Sequence, residues 1–134
     1  MIKRFVLSAL FLLALMSAAN ASDPIACNNS ALGVTATGET QFIAAPTIPG
    51  QKIHLCGYTI VGSGAASVQI MSGTGSNCGT NPTAITPAYP LVAQTVIPDS
   101  TDFEHGLKGL TNGAICVNSS TGAAASVLLY YNQH

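Results

Sequence analysis

The stretch QKIHLCGYTIV, residues 51–61, decides the fold class, because its length and residue types are those of a buried β-strand. Successive side chains of a strand point to opposite faces. One face would carry Ile53, Leu55, Thr59 and Val61, and the other His54, Cys56, Tyr58 and Ile60. Both sets are largely apolar, so the pattern predicts a strand that is covered on both sides.

Short apolar runs separated by turn-forming residues continue on either side of this strand. Gly62 to Ala65 turn the chain into a hairpin partner at Ala66 to Ser72, and a loop from Gly73 to Pro87 follows. Further strands are expected at Thr40 to Ala45, Tyr89 to Ile97, Ala114 to Ser119 and Ala124 to Tyr131. Phe103 to Leu110 is ambiguous, because its glycines disfavour a helix. Six to eight short strands predict an all-β fold, a single β-sandwich or jelly-roll domain.

The first 21 residues have the three parts of a secretory signal peptide. Lys3 and Arg4 form its positive region, the run from Phe5 to Met16 is apolar, and Ala19-Asn20-Ala21 fits an A-x-A cleavage site. A retained anchor is the alternative, but the apolar run falls short of the ~20 residues that span a bilayer. We therefore expect a domain at 22–134 that is secreted to the periplasm or the outside, without a membrane partner.

Charge and length restrict the partners of this domain. Cleavage would leave 113 of the 134 residues, which suffices for one domain. The remaining chain holds two lysines against five acidic residues, a formal charge of −3. So few cations cannot neutralise a phosphate backbone, and we expect no nucleic-acid partner.

An even number of cysteines in a secreted chain of this length predicts two disulfides. The four are Cys27, Cys56, Cys78 and Cys116. Neither a C-x-x-C motif nor a zinc-type spacing occurs, and three connectivities are open. Cys56 and Cys116 lie inside apolar runs, whereas Cys27 lies near the mature terminus and Cys78 in a polar loop. Position therefore favours Cys56 with Cys116 and Cys27 with Cys78.

Candidate catalytic and metal-binding groups are sparse. The one acidic cluster consists of Asp99, Asp102, Glu104 and His105. It could hold a cation such as Ca²⁺, but it matches no calcium-loop spacing, and a polar loop after Pro98 would carry such residues in any case. Glycoside hydrolysis would need two placed carboxylates, and the chain has no tryptophan as a sugar platform. No G-x-S-x-G motif occurs, and His54 lies within a strand. We expect neither an enzyme nor a cofactor.

Tyrosines are the remaining candidates for binding. Tyr130 and Tyr131 are consecutive in a predicted strand, so one should pack in the core and the other should be more exposed. We take Tyr89 and Tyr131 as a candidate binding surface, since an aromatic ring with a polar tip suits protein interfaces and sugars. A glycan is therefore one candidate ligand.

Four motifs carry a resemblance to a known family: IHLCGYTIV, SGTGSNCGTNPTAITPAYPL, GAICVNSS and the terminal LLYYNQH. The chain from Cys27 to His134 resembles a family of small, leader-bearing, cysteine-containing β-sandwich proteins of unassigned function, found in bacterial and in phage or prophage sequence. The resemblance implies a compact all-β domain and a phage link. It transfers no catalytic residue.

These observations favour a non-enzymatic secreted module that is structural or mediates interactions, as a homo-oligomer or on a cell or virion surface. Exposed edge strands would be covered by such association. A small carbohydrate-binding or adhesin-like domain is the alternative, with the loops Gly73 to Pro87 and Pro98 to His105 as its binding region. A hydrolase is a remote third, because it would need a pocket with a perturbed acid or histidine.

Overall fold

The computed structural model describes residues 27–99, 107–109, 111–122 and 124–134, which form two packed β-sheets. The strands are β1 (Asn29–Val34), β2 (Gly38–Ile43), β3 (Ile53–Gly62), β4 (Ala66–Thr74), β5 (Thr80–Ala84), β6 (Tyr89–Leu91), β7 (Val96–Asp99), β8 (Leu107–Lys108), β9 (Ala114–Ser119) and β10 (Ala125–Gln133). The prediction of an all-β sandwich is confirmed. The predicted signal peptide, residues 1–21, lies outside the described residues. Within these ranges, no helix has the length and apolar character needed to cross a bilayer.

The strand order is that of a jelly roll. Sheet A runs β1-β10-β3-β7, with β8 also on β3, and sheet B runs β2-β9-β4-β5, with β6 also on β4. All pairs are antiparallel. β5 and β6 both pair with β4 and can be counted as one interrupted edge strand, and the same holds for β7 and β8, which both pair with β3. Counted in this way, the sandwich has the eight strands of a jelly roll, and its first strand, β1, pairs with its last, β10. Each sheet thus has two edges, with β1 and β2 at one side of the sandwich order and β7 and β5 at the other.

The core lies between the two sheets and consists of aliphatic residues from both. Its fully buried members include Ile53, Leu55, Ile60, Val68, Ile70, Ile115, Val117, Ala125, Val127 and Leu129. In β10 the inward residues alternate regularly with outward ones, as a half-buried strand requires. Val127 and Leu129 face inward, whereas Tyr130 is 44% exposed.

A β-bulge at Cys56 overturns the predicted division of β3 into two faces. Tyr130 pairs with Gly57 and Tyr131 with Leu55, so Cys56 is the additional residue on β3. The extra residue reverses the alternation, and Ile60 then faces inward as Leu55 does, while Val61 is 40% exposed. The prediction that β3 is covered on both sides holds from Ile53 to Tyr58, where every residue is buried, and fails at Thr59 and Val61, where the outer face meets solvent.

Other strand boundaries also differ from the sequence-based expectation. The predicted strand Tyr89 to Ile97 is two strands, because a turn at residues 92–95 transfers the chain from sheet B to sheet A. In that turn, Thr95 N–H donates to the Val92 carbonyl at 3.1 Å. The expected loop from Gly73 to Pro87 contains β5, and β1 was not predicted. Both are weakly patterned edge strands.

Candidate functional site

The two disulfides connect pairs that differ from those favoured by the sequence. Cys27 is joined to Cys56, and Cys78 to Cys116, with Cα atoms 6.2 Å apart in each pair. The favoured pairing of Cys56 with Cys116 was wrong because the two residues lie in different sheets. Ile115 and Val117 point into the core, so Cys116 between them faces the outer side of sheet B, away from Cys56.

Cys78, Ala114 and Cys116 form a small buried group, the satellite cluster, on the outer face of sheet B. The chain from Gly75 to Gly79 folds back over this face, and the Asn77 side chain accepts a hydrogen bond from Gln41 N–H at 3.4 Å. Gly73 permits the close approach: a Cβ atom there would lie 2.6 Å from the Cys78 carbonyl oxygen. Sheet B therefore covers part of its own outer face.

The acidic cluster is not assembled by the described residues. The backbone of Asp99 pairs with Tyr58 at the end of β7, whereas Asp102, Glu104 and His105 lie outside the described residues. In the part of the chain that the structure describes, no three His, Cys, Asp or Glu side chains are grouped so that they could hold a metal ion. The cation site stays a prediction.

Neither tyrosine of the predicted binding surface is freely exposed. Tyr89 and Tyr131 are partly buried and pack against the core, and the Tyr89 hydroxyl is hydrogen-bonded to that of Tyr58. The pair joins the two sheets, since Tyr58 belongs to β3 and Tyr89 to β6. The more exposed member of the consecutive pair is Tyr130, and a binding role of Tyr89 and Tyr131 stays a prediction.

The histidines at the end of sheet A form a stack. The rings of His54 and His134 are nearly parallel, with an interplanar angle of 11° and centroids 4.2 Å apart. The backbones of Lys52 and His134 exchange two hydrogen bonds, which fix the last residue beside β3. His134 is thus part of the sheet's packing, and His54 is buried.

The outer face of sheet A is the most distinctive surface of the described structure. We call it the apolar face, and its large side chains are Leu32, Val34, Val61, Val96, Leu128 and Tyr130. Leu32 is 75% exposed and Val34 58%. Leu32 and Leu128 are cross-strand neighbours on β1 and β10, and Val61 and Val96 are cross-strand neighbours on β3 and β7, so large apolar side chains occur on all four strands.

Strand register defines three rows on the apolar face. One row runs Val34, Ser126, Val61 and Val96; the next runs Leu32, Leu128, Thr59 and Pro98; the third runs Ser30, Tyr130 and Gly57. None of these residues is charged. A surface that normally carries charged and polar side chains is therefore uncharged in these three rows, and its polar residues there are Ser30, Thr59 and Ser126.

Sequence reasoning did not identify this surface. Two obstacles explain the omission: β1 has low strand propensity, and the bulge at Cys56 placed Val61 on the wrong side of β3. The available signal was the alternation of Leu32 and Val34 with the small residues Ala31 and Gly33.

No family model, curated protein or solved structure matches the chain. The resemblance drawn from the four sequence motifs stays an expectation.

Proposed function

We propose that the protein is a non-enzymatic secreted domain with a structural or interaction role, and that it binds a partner through the apolar face of sheet A. The exposure of Leu32, Val34, Val61 and Val96 is the observation that carries this proposal. Isolated exposed apolar residues are ordinary on proteins, but contiguous patches mark interaction sites. A cell-surface or virion-associated component is the setting that suits such a role.

The dimensions of the apolar face suit a macromolecular contact. Four strands about 4.8 Å apart, and rows about 7 Å apart, make a surface of roughly 400 Å². That area lies within the range of ~300–600 Å² of patches that are often functional on monomers. The face also contributes little to the domain's own stability, because its side chains already lie in solvent. Contact with a partner would bury them and stabilise the complex.

Disulfide content supports the proposed location. Both pairs of cysteines are bonded, and no described cysteine is free. Disulfides persist in oxidising compartments such as the periplasm and the extracellular space. Together with the predicted signal peptide, they favour export from the cytoplasm.

Site-specific photo-crosslinking of the secreted protein tests the proposal. A photoreactive phenylalanine analogue replaces Val61 on the apolar face, and in a matched control it replaces Ile48. Ile48 is also apolar and 58% exposed, but lies in the connection between β2 and β3. We expect cross-linked products from position 61 and few from position 48. Equal yields at both positions, or none at either, would contradict a binding role for the apolar face.

A further inference from the structure

We propose that β1 pairs antiparallel with β1 of a second copy of this chain, with Leu32 next to the two-fold axis. The two A sheets would then form one continuous sheet with a common apolar face. This inference rests on the proposed interaction role and names one partner for it.

The edges of the two sheets are protected unequally against strand pairing. A proline interrupts three of the edge strands: Pro82 in β5, Pro90 in β6 and Pro98 in β7. β8 has only two residues, and β2 carries Glu39 and a bulge between Gln41 and Ile43. Proline, charge, bulges and short length are the devices that prevent edge-to-edge association.

β1 has none of these devices. Its sequence is NSALGV, which contains no proline and no charge, and its register with β10 runs from Asn29 to Val34 without a shift. In the part of the chain described by the structure, β1 pairs with β10 alone. Two identical neutral strands can meet without repulsion, although the secreted chain as a whole carries a formal charge of −3.

Hydrogen-bond alternation shows which backbone groups of β1 point outward. Thr35 N–H donates to the Ala125 carbonyl at 2.9 Å, so the backbone N–H and C=O of Thr35 point toward β10. The backbone groups of successive residues in an antiparallel strand point alternately to its two sides. The N–H and C=O groups of Ala31 and Gly33 therefore also point toward β10. Those of Ser30, Leu32 and Val34 point to the open edge.

One register uses every outward-pointing group. If Leu32 lies opposite its own copy, Ser30 lies opposite Val34 of the second copy, and Val34 opposite Ser30. The three pairs exchange six N–H···O=C bonds, and the two-fold axis closes the assembly at a dimer. Each Leu32, 75% exposed in the single chain, then packs beside the other on a shared outer face.

β1 is also held in place at both ends, which lowers the conformational cost of pairing. Before the strand, Cys27 is bonded to Cys56 of β3. After it, the Thr35 hydroxyl accepts a hydrogen bond from Ala125 N–H at 3.2 Å. Edge pairing alone buries less than the ~800 Å² per partner of a standard interface, so we expect a weak dimer with a dissociation constant on the order of tens of micromolar.

Sedimentation velocity of the secreted, disulfide-bonded protein over a wide concentration range tests the dimer. Leu32→Lys places two like charges at the axis without touching the ladder to β10, and should weaken dimerisation at least ~10-fold. Val96→Lys is the matched control, because Val96 lies on the same face but at the opposite edge. We expect Val96→Lys to dimerise as the wild type does.

Engineered cysteines test the register. In the proposed dimer, the two Cα atoms at position 32 are about 5.5 Å apart, which permits a disulfide, whereas those at position 34 are about 14 Å apart. Mild oxidation should therefore cross-link Leu32→Cys and leave Val34→Cys largely monomeric. Equal cross-linking of both variants would overturn the proposed register.

The outcomes separate this inference from the proposed function. A wild-type protein that stays monomeric, or a dimer unaffected by Leu32→Lys, would overturn β1 pairing. Cross-links from position 61 to another molecule would still support the role of the apolar face. If Leu32→Lys and Val96→Lys abolish dimerisation equally, the copies meet through the apolar face, which overturns edge pairing and supports the proposed function.

Discussion

The outer faces of the two sheets differ in how they meet solvent. Sheet B carries polar residues such as Glu39, Gln69 and Asn118 on its outer side, and covers its remaining apolar positions with a disulfide-bonded turn. Sheet A has a disulfide only toward one end of β3, and the three rows beyond the bulge at Cys56 expose Leu32, Val34, Val61, Val96 and Tyr130. The same fold thus contains one face that is closed by its own chain and one that is open.

The contrast indicates that exposure of the apolar face is not imposed by the architecture. The turn at residues 75–79 shows that a short segment is enough to cover the outside of a sheet in this protein. The apolar face has no such cover among the described residues, and its side chains are leucine, valine and tyrosine instead of the charged residues usual on solvated sheets. We attribute the open face of sheet A to the proposed binding role, and the covered face of sheet B to stability.

Removal of the disulfide beneath the turn should have the largest effect. The pair Cys78 and Cys116 closes a separation of 38 residues, and the chain-entropy model assigns about 4 kcal/mol to such a loop. We expect the double variant Cys78→Ala/Cys116→Ala to lose at least this much free energy of unfolding in urea titration. The control is Cys27→Ala/Cys56→Ala, whose separation of 29 residues gives a slightly smaller entropic term. An equal or larger loss in the control would show that the satellite cluster adds no stability.

The division of β3 into an inner and an outer side can be tested at adjacent residues. Ile60→Ala should cost about 2–5 kcal/mol of unfolding free energy, because Ile60 is fully buried between the sheets. Val61→Ala on the apolar face should cost less than about 1 kcal/mol. Urea titration of both variants measures the difference. The reverse order would mean that no bulge at Cys56 reverses the alternation.

The close approach of the turn to sheet B should make Gly73 intolerant of a side chain. Gly73→Ala places a Cβ atom against the Cys78 backbone, and the required shift should cost about 1–3 kcal/mol. Gly64 is the matched control, since no atom lies within 4 Å of a Cβ built there. Gly64→Ala should change the thermal midpoint little. Similar losses in both variants would contradict the tight cover on sheet B.

The smallest stability effect is expected on the apolar face. Val61→Thr with Val96→Thr keeps β-branched residues, and should change the free energy of unfolding by less than about 0.5 kcal/mol per site. Binding of an apolar fluorescent dye should decrease. Val68→Thr, at a fully buried position of sheet B, is the control and should cost about 1–3 kcal/mol. Unchanged dye binding in the double variant would mean that the dye detects another surface.

The sequence was sufficient to predict the architecture but not its local exceptions. Strong alternation and turn residues placed β3, β4, β9 and β10 correctly, and the cysteine count predicted two bonds. The bulge was not predicted, although Gly57 was a local signal for it, since an isolated glycine inside a strand often marks a bulge. That single extra residue determined which side of β3 faces the core.

The disulfide pairing and the exposed tyrosine required the three-dimensional register. An apolar run does not reveal whether a cysteine within it points to the core, and Cys116 points away from it. Likewise, Tyr130 and Tyr131 are indistinguishable until β10 is aligned with β1 and β3. The disulfide pairing and the exposure of each tyrosine both depend on contacts between segments that are distant in the sequence. Local residue patterns do not contain that information.

The central position of the last strand also has a kinetic consequence. β10 lies between β1 and β3, so sheet A joins residues near both ends of the chain. Its ladders form only by closing long loops, and topologies of this kind fold slowly compared with those built from local contacts. A nascent chain that lacks residues 125–133 can pair β3 with β7 and β8, but it cannot join β1 to β3. Sheet A is therefore completed only after β10 has been synthesised, although β10 occupies a central position in that sheet.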